Sequence, residues 1–197
     1  MKNSRKLHLG CGRNILEGYI NLDQAKLDGV DVVHDLAMFP YPFNAEQFDE
    51  VIMIDVLEHL PNVIQTMEEL HRICAPGARV TIRVPYYNSW DASHDPTHEH
   101  QFNENTFDFF DPRTKTGELR QYYSRARFQI YTIGYLIYHA NTSLLLCDSS
   151  LPAERVMLPA CYDKKLIRST LLKTLYTRMG HKLGNMIRTL HVELVRL

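Results

Sequence analysis

Over the first 85 residues, apolar positions fall into short runs separated by polar stretches that carry glycine and proline. The runs predict strands at residues 6–9, 19–22, 31–34, 50–54 and 79–84. The last two are almost wholly apolar, the pattern of strands covered on both faces. Between them Val63, Met67, Leu70 and Ile73 recur at helical spacing, with Pro61 near the start and Pro76-Gly77 as the stop. Strands alternating with helical stretches imply a parallel sheet with right-handed crossovers. Residues 86–125 lose periodicity and are rich in aromatics, Asp, Asn and His, a long irregular stretch of the kind that more often serves function. Residues 128–138 return as a strand, and 189–197 alternate like one. Between these, Leu172, Leu175, Tyr176, Met179, Leu183 and Met186 fall on one stripe of a helix drawn over residues 164–188. With no repeat, low-complexity segment or linker, the expectation is a single domain, 1–197. It carries a substrate-side loop region at 86–125 and a helical insertion at about 150–188, before the last strand.

Composition narrows the class only a little. The 197 residues suffice for a full core, and 45% apolar and 23% charged content is ordinary for a soluble globular protein. No apolar run approaches the roughly 18 residues of a membrane-spanning helix, and the opening "MKNSRK" does not read as a signal peptide. Cys11, Cys74, Cys147 and Cys161 show no CxxC spacing, which argues against a disulfide framework or structural zinc and favours the cytoplasm. Charge is uneven. Residues 1–60 hold five Lys/Arg against ten Asp/Glu, a balance of −5, and residues 163–197 hold eight against two, a balance of +6. Such a basic helix is either a solvated face or a peripheral contact with an anionic surface.

The candidate chemistry begins at Gly10-Cys11-Gly12, directly after the first strand. A strand, a glycine turn and a following acid outline a nucleotide-cofactor site. The dinucleotide fingerprint nevertheless fails, because Asn14 stands at the third glycine and Asp23 follows Gly12 by only eleven residues. That gap is short for a helical crossover, so the first helix must shrink to about one turn. Asp23, Asp35 and Asp55 follow the second, third and fourth predicted strands. Ligands of an open parallel sheet bind beyond the carboxyl ends of its strands, so these acids and the glycine turn would form one rim. Each acid alone could equally be a turn or capping residue.

"LHLGCG", "INLD", "HDL", "FDEVIMIDVLEHL" and "ICAPGARVTIRVP" together resemble the successive motifs of class I S-adenosylmethionine-dependent methyltransferases, in particular a small, type 11-like subgroup. The resemblance covers roughly residues 5–110 and implies a Rossmann-like α/β fold, with a mostly parallel sheet, an antiparallel last strand and helices on both faces. It also implies S-adenosylmethionine as cofactor. Gly10, Cys11 and Gly12 would approach its methionine part, and Asp23 would take both ribose hydroxyls. Asp35 with Leu36 would flank the adenine, and Asp55 would lie beneath the sulfonium. His8 stands where the family usually has an acid, two residues before the first glycine. The implied acceptor is a small molecule or glycan, as in surface-polysaccharide or natural-product pathways, and no nucleic acid is expected.

"SHDPTHEH" gathers His94, His98 and His100 within seven residues. They could be ordinary loop histidines, three ligands of a metal, or substrate-side groups. The resembling subgroup often carries an Asp-Pro-Thr-His element here, which favours His98 as general base, with His94 beside it, in the pH range where imidazole titrates. Glu58 and His59, at the end of the fourth strand, read as packing or capping residues. A non-catalytic cofactor-binding partner subunit and a metalloenzyme centred on His94/His98/His100 are the rival readings. A nicotinamide dehydrogenase is a weaker third.

Overall fold

A computed structural model describes residues 4–139, 142–147 and 164–197. Its strands are β1 (Lys6–Leu9), β2 (Ile20–Asp23), β3 (Val32–Val33), β4 (Phe48–Ile54), β5 (Cys74–Pro85), β6 (Phe128–His139), β7 (Thr142–Cys147), β8 (Lys164–Arg168) and β9 (Thr189–Arg196). They form one sheet in the order β3-β2-β1-β4-β5-β9-β6-β7-β8. The first five run parallel, and β9 inserts antiparallel between β5 and β6. β7 and β8, a parallel pair antiparallel to β6, extend the far edge beyond what the sequence pattern foretells.

Val51, Ile52 and Met53 are consecutive, so their side chains alternate between faces, yet none is more than 2% exposed. Both faces are therefore covered at the centre of the sheet. One cover is α1 (Val63–Ile73), which starts at Asn62, whose side chain accepts from the Gln65 N–H. Its expected stripe holds, for Met67, Leu70 and Ile73 are fully buried in the main core. The helix ends at Ile73, sooner than Pro76-Gly77. Those two residues lie in the irregular start of β5, where pairing with β4 jumps from Cys74 to Arg79.

No helix separates β1, β2, β3 and β4, so the expected alternation of strand and helix fails there. Even the single helical turn after Gly12 is absent, and hydrogen-bonded turns replace it. The Asn21 side chain holds this short crossover. Its Oδ1 accepts from the Leu16 N–H at 2.9 Å, and its Nδ2 donates to Leu16 O at 3.0 Å and Tyr19 O at 3.2 Å. A fully buried amide thus meets the backbone groups that a helix would have satisfied internally.

The loop region 86–125 is more ordered than its composition suggests. It contains α2 (Trp90–His94), α3 (Lys115–Arg120) and 3₁₀ turns at Thr106–Phe110 and Gln121–Tyr123. The helix drawn over 164–188 is the largest misreading. Residues 164–168 are β8, and only α4 (Thr170–Gly180) is helical. Ser169 caps its start by accepting from the Leu172 N–H, and turns follow Gly180. The basic residues of this segment are therefore divided among strand, helix and turns, and no long basic helix faces outward. Residues 148–163, the first part of the expected insertion, lie outside the described residues, as does Cys161. Cys11 and Cys74 are buried and free, and Cys147 is buried.

Candidate active site at the carboxyl ends of the strands

A cavity of about 720 Å³ opens beyond the carboxyl ends of the parallel strands. Gly10, Asp23, Asp35, Leu36 and Asp55, all expected cofactor residues, line it. Gly10 has φ +63°, and a Cβ there would sit 2.3 Å from Val56 Cγ2, so both backbone conformation and space require glycine. The Asp23 carboxylate ties the end of β2 to the glycine turn, accepting from the Gly12 N–H at 2.7 Å and the Ala25 N–H at 2.9 Å. Asp35 accepts from the Ala37 N–H at 2.9 Å, a local turn that aims the chain so that buried Leu36 faces the cavity.

Three expected residues do not line this cavity. His8 is 1% exposed and sits behind the glycine turn, its Nδ1 3.4 Å from Asn21 Oδ1, and burial lowers its pKa. The Cys11 side chain is buried, and burial pushes its thiol up to about 11. Gly12 meets Asp23 through its backbone N–H.

Asp55 leaves β4 with φ +53°, an uncommon conformation for a residue with a side chain. Two groups hold it there. Its N–H donates to Arg83 O at 2.9 Å, and its carboxylate accepts a two-pronged contact from the Arg83 guanidinium. The chain then enters a 3₁₀ turn, Leu57–His59, in which Leu57 and Glu58 are buried. The backbone N–H groups of Glu99 and His100 donate to Glu58 O at 2.8 and 3.3 Å, clamping the "DPTHEH" segment onto this turn. The sequence gives no hint of that clamp.

Asp55 and His59 also line a second, adjoining cavity of about 310 Å³. Its walls include Arg83, Asp91, His94, His98 and Arg188. Arg188, just before β9, grips Asp91 of α2 with both guanidinium prongs and holds that short helix over the sheet. His94 stacks flat on Trp90 with ring centroids 4.1 Å apart, and its Nδ1 lies near Trp90 O and Asp91 O. His98 turns inward. Its Nδ1 lies 3.2 Å from Ala92 O, and its Nε2 is 4.0 Å from both Glu58 Oε1 and Asp95 Oδ2. A carbonyl can only accept, so Nδ1 carries a proton, and in the neutral ring Nε2 is the nitrogen with the lone pair.

His100 points elsewhere, its Nε2 3.4 Å from Pro61 O. Among the described residues His94, His98 and His100 therefore form no metal-capable trio, and Glu58, His59 and His98 stand together instead. Glu58 is 1% exposed, and burial raises its pKa to about 8. Thr97 holds the exposed Asp95 carboxylate low by donating from its hydroxyl and its N–H. One signal for Glu58 existed in the sequence: an acid enclosed by Leu57 and Leu60 at the end of an apolar strand.

The fold has solved relatives. An S-adenosylmethionine-dependent methyltransferase from Archaeoglobus fulgidus superposes with a TM-score of 0.60 at 14% identity, covering 98% of this chain and 86% of its own. Another from Thermotoga maritima gives 0.57 at 11% identity, covering 100% and 84%. A third from Mesorhizobium loti gives 0.50 at 13%, covering 100% and 94%. None of the curated proteins matches this sequence at a significant level. The profile of the family described as "Methyltransferase domain" matches residues 2–129, which include every residue lining the larger cavity. The chain accordingly belongs to the methyltransferase domain family.

Proposed function

We propose that the larger cavity holds S-adenosylmethionine and that the smaller one holds a polar, hydroxyl-bearing acceptor such as a sugar. The observation that carries this reading is that the two cavities adjoin at Asp55 and His59, which line both. A cavity of about 720 Å³ suits a nucleotide-sized ligand. The residues fit the cofactor. Asp23, anchored by two backbone donors, keeps lone pairs for the two ribose hydroxyls. Asp35 and Leu36 border the adenine end, Gly10 the methionine end, and Asp55 the junction. His8, Cys11 and Gly12 act from behind the wall by fixing the turn.

When bound, the cofactor supplies a methyl group already activated on a sulfonium. The chain's work is then alignment, exclusion of water and care of the acceptor proton. The carboxylates and guanidiniums of the smaller cavity support a polar acceptor, because each can hydrogen-bond a hydroxyl. His98 and His94 belong to this acceptor side, and His98 Nε2 offers a lone pair toward the cavity.

No helix among the described residues is long and apolar enough to cross a membrane. Cys11 and Cys74, buried and free, support a reducing compartment such as the cytoplasm. The test is a panel of sugars and other polyols incubated with protein and S-adenosylmethionine, scored by S-adenosylhomocysteine released. Turnover with at least one hydroxylated acceptor is expected. Calorimetric binding of S-adenosylhomocysteine without turnover on any acceptor would favour the non-catalytic partner reading.

A further inference from the structure

Glu58 presents a physical problem that methyl transfer does not explain. Its side chain is 1% exposed, and neither carboxylate oxygen has a hydrogen-bond partner among the described residues. Buried polar groups are ordinarily paired, and an isolated buried carboxylate is costly, so this one calls for a cation or a proton. Two imidazoles stand beside it. One ligand atom each from Glu58, His59 and His98 lies within 4.8 Å of the others, and Glu58 Oε1 is 4.0 Å from His98 Nε2. Both imidazoles are oriented by groups behind them. His98 Nδ1 faces Ala92 O at 3.2 Å, and His59 Nδ1 faces Thr97 O at 3.3 Å and Thr97 Oγ1 at 2.9 Å. The carbonyls only accept, so both Nδ1 atoms carry a proton, which leaves Nε2 as the atom that each neutral ring would offer a metal. This outer-shell arrangement is the one that fixes the tautomer of metal-binding histidines.

We propose that Glu58, His59 and His98 bind a divalent transition cation of the Zn²⁺ or Co²⁺ type at the junction of the two cavities. Two imidazoles and one carboxylate favour such an ion over Mg²⁺ or Ca²⁺, which prefer all-oxygen sets. A tetrahedral ion with bonds of about 2.1 Å spaces its ligands roughly 3.4 Å apart, so the trio must close by about 1 Å, within the reach of side-chain rotation. Three protein ligands leave a coordination position open. All three residues line the smaller cavity, so an acceptor hydroxyl there could occupy that position and become more acidic. This catalytic consequence rests on the reading of that cavity as the acceptor site; the metal site itself does not.

The test uses chelator-treated full-length protein titrated with CoCl₂ and followed by visible d–d absorption, then back-titrated with ZnCl₂. One equivalent of Co²⁺ should bind, and Zn²⁺ should displace it. Glu58→Gln, His59→Ala and His98→Ala should each weaken binding by more than the 10–100-fold typical of outer-shell changes. His100→Ala should leave binding unchanged. His59 is half-buried and its polar contacts are with Thr97, so its variant guards against loss of fold in the other two, checked by circular dichroism. Absence of Co²⁺ and Zn²⁺ uptake by the parent, or parental affinity in folded His59→Ala or His98→Ala, overturns the proposal. Calorimetry with S-adenosylhomocysteine on the same samples keeps the two readings apart. Cofactor-product binding without metal uptake refutes the metal site alone, and metal uptake without it refutes the cofactor assignment alone.

Discussion

Gly10, Asp23, Asp35 and Asp55 reach the larger cavity because each ends or follows a parallel strand, within the first 55 residues. Asp91, His98, Leu136 and Arg188 reach the smaller one from four separate segments, as far apart as α2 and the turn before β9. The strand-end part of the first wall is assembled by register and short loops, so the chain can dispense with helices between β1 and β4, and Pro96, Thr97 and Glu99 complete that wall from the loop region. The second wall depends on a long-range ion pair, Arg188 on Asp91, while the backbone contacts of Glu99 and His100 with Glu58 O and the contact of Thr97 with His59 hold the loop whose residues line both cavities. A site made by register is rigid and fixed early in the chain. The Arg188–Asp91 contact can be altered without touching the strand-end residues of the first wall.

That contrast can be broken by mutation. The largest effect is expected from His98→Ala, which should lower methyl transfer by roughly 10²–10⁴, the weight of a group that manages the acceptor proton. Steady-state release of S-adenosylhomocysteine with a working acceptor measures it. Gly10→Ala comes next. Its new methyl group meets Val56 at positive φ, so unfolding in urea should show a loss of about 1–3 kcal/mol. Gly10→Ala/Val56→Ala should recover the packing share of that loss, leaving the backbone share.

A smaller change is expected from Arg188→Met, which releases α2 from its anchor on Asp91. Because the pair is partly exposed, stability should fall by only about 1 kcal/mol, while the acceptor KM rises and S-adenosylhomocysteine affinity holds. An unchanged acceptor KM would detach α2 from the acceptor site. The smallest effect concerns His8, whose pKa burial lowers from its unfolded value of 6.5. Below that pH the unfolded chain binds the proton more readily than the native one, so this group costs stability as pH falls through about 6.5. Thermal unfolding should show the parent losing more stability than His8→Gln between pH 7 and 5.5. Equal losses would mean that His8 is protonated alike in both states.

The sequence made the first wall legible and the second largely not, for physical reasons. Strand ends are marked by local signals, an apolar run and then an acid, and Asp23, Asp35 and Asp55 all follow that rule. His8 broke it: its place two residues before the glycine suggested a ligand contact, but the register pairs it with Asn21 inside the sheet. The helix read over 164–188 shows how periodicity alone overreaches. Leucine and methionine spacing continues past Gly180, yet the cap at Ser169 and the turn residues Gly184 and Asn185, the latter at φ +63°, bound the real helix. The smaller cavity needed knowledge of which distant segments meet. Glu58 and His59 read as packing residues because nothing local says that residue 98 folds over them.

The most direct test of the division between the two walls is calorimetric titration of S-adenosylhomocysteine into Asp23→Ala and His98→Ala side by side. With Asp23 on the ribose as proposed, its loss should weaken binding by about 1.5–3 kcal/mol, roughly 10- to 150-fold, while His98→Ala stays within about twofold of the parent. Parental affinity in Asp23→Ala, or a comparable loss in His98→Ala, would contradict the assignment of the larger cavity to the cofactor and the smaller one to the acceptor.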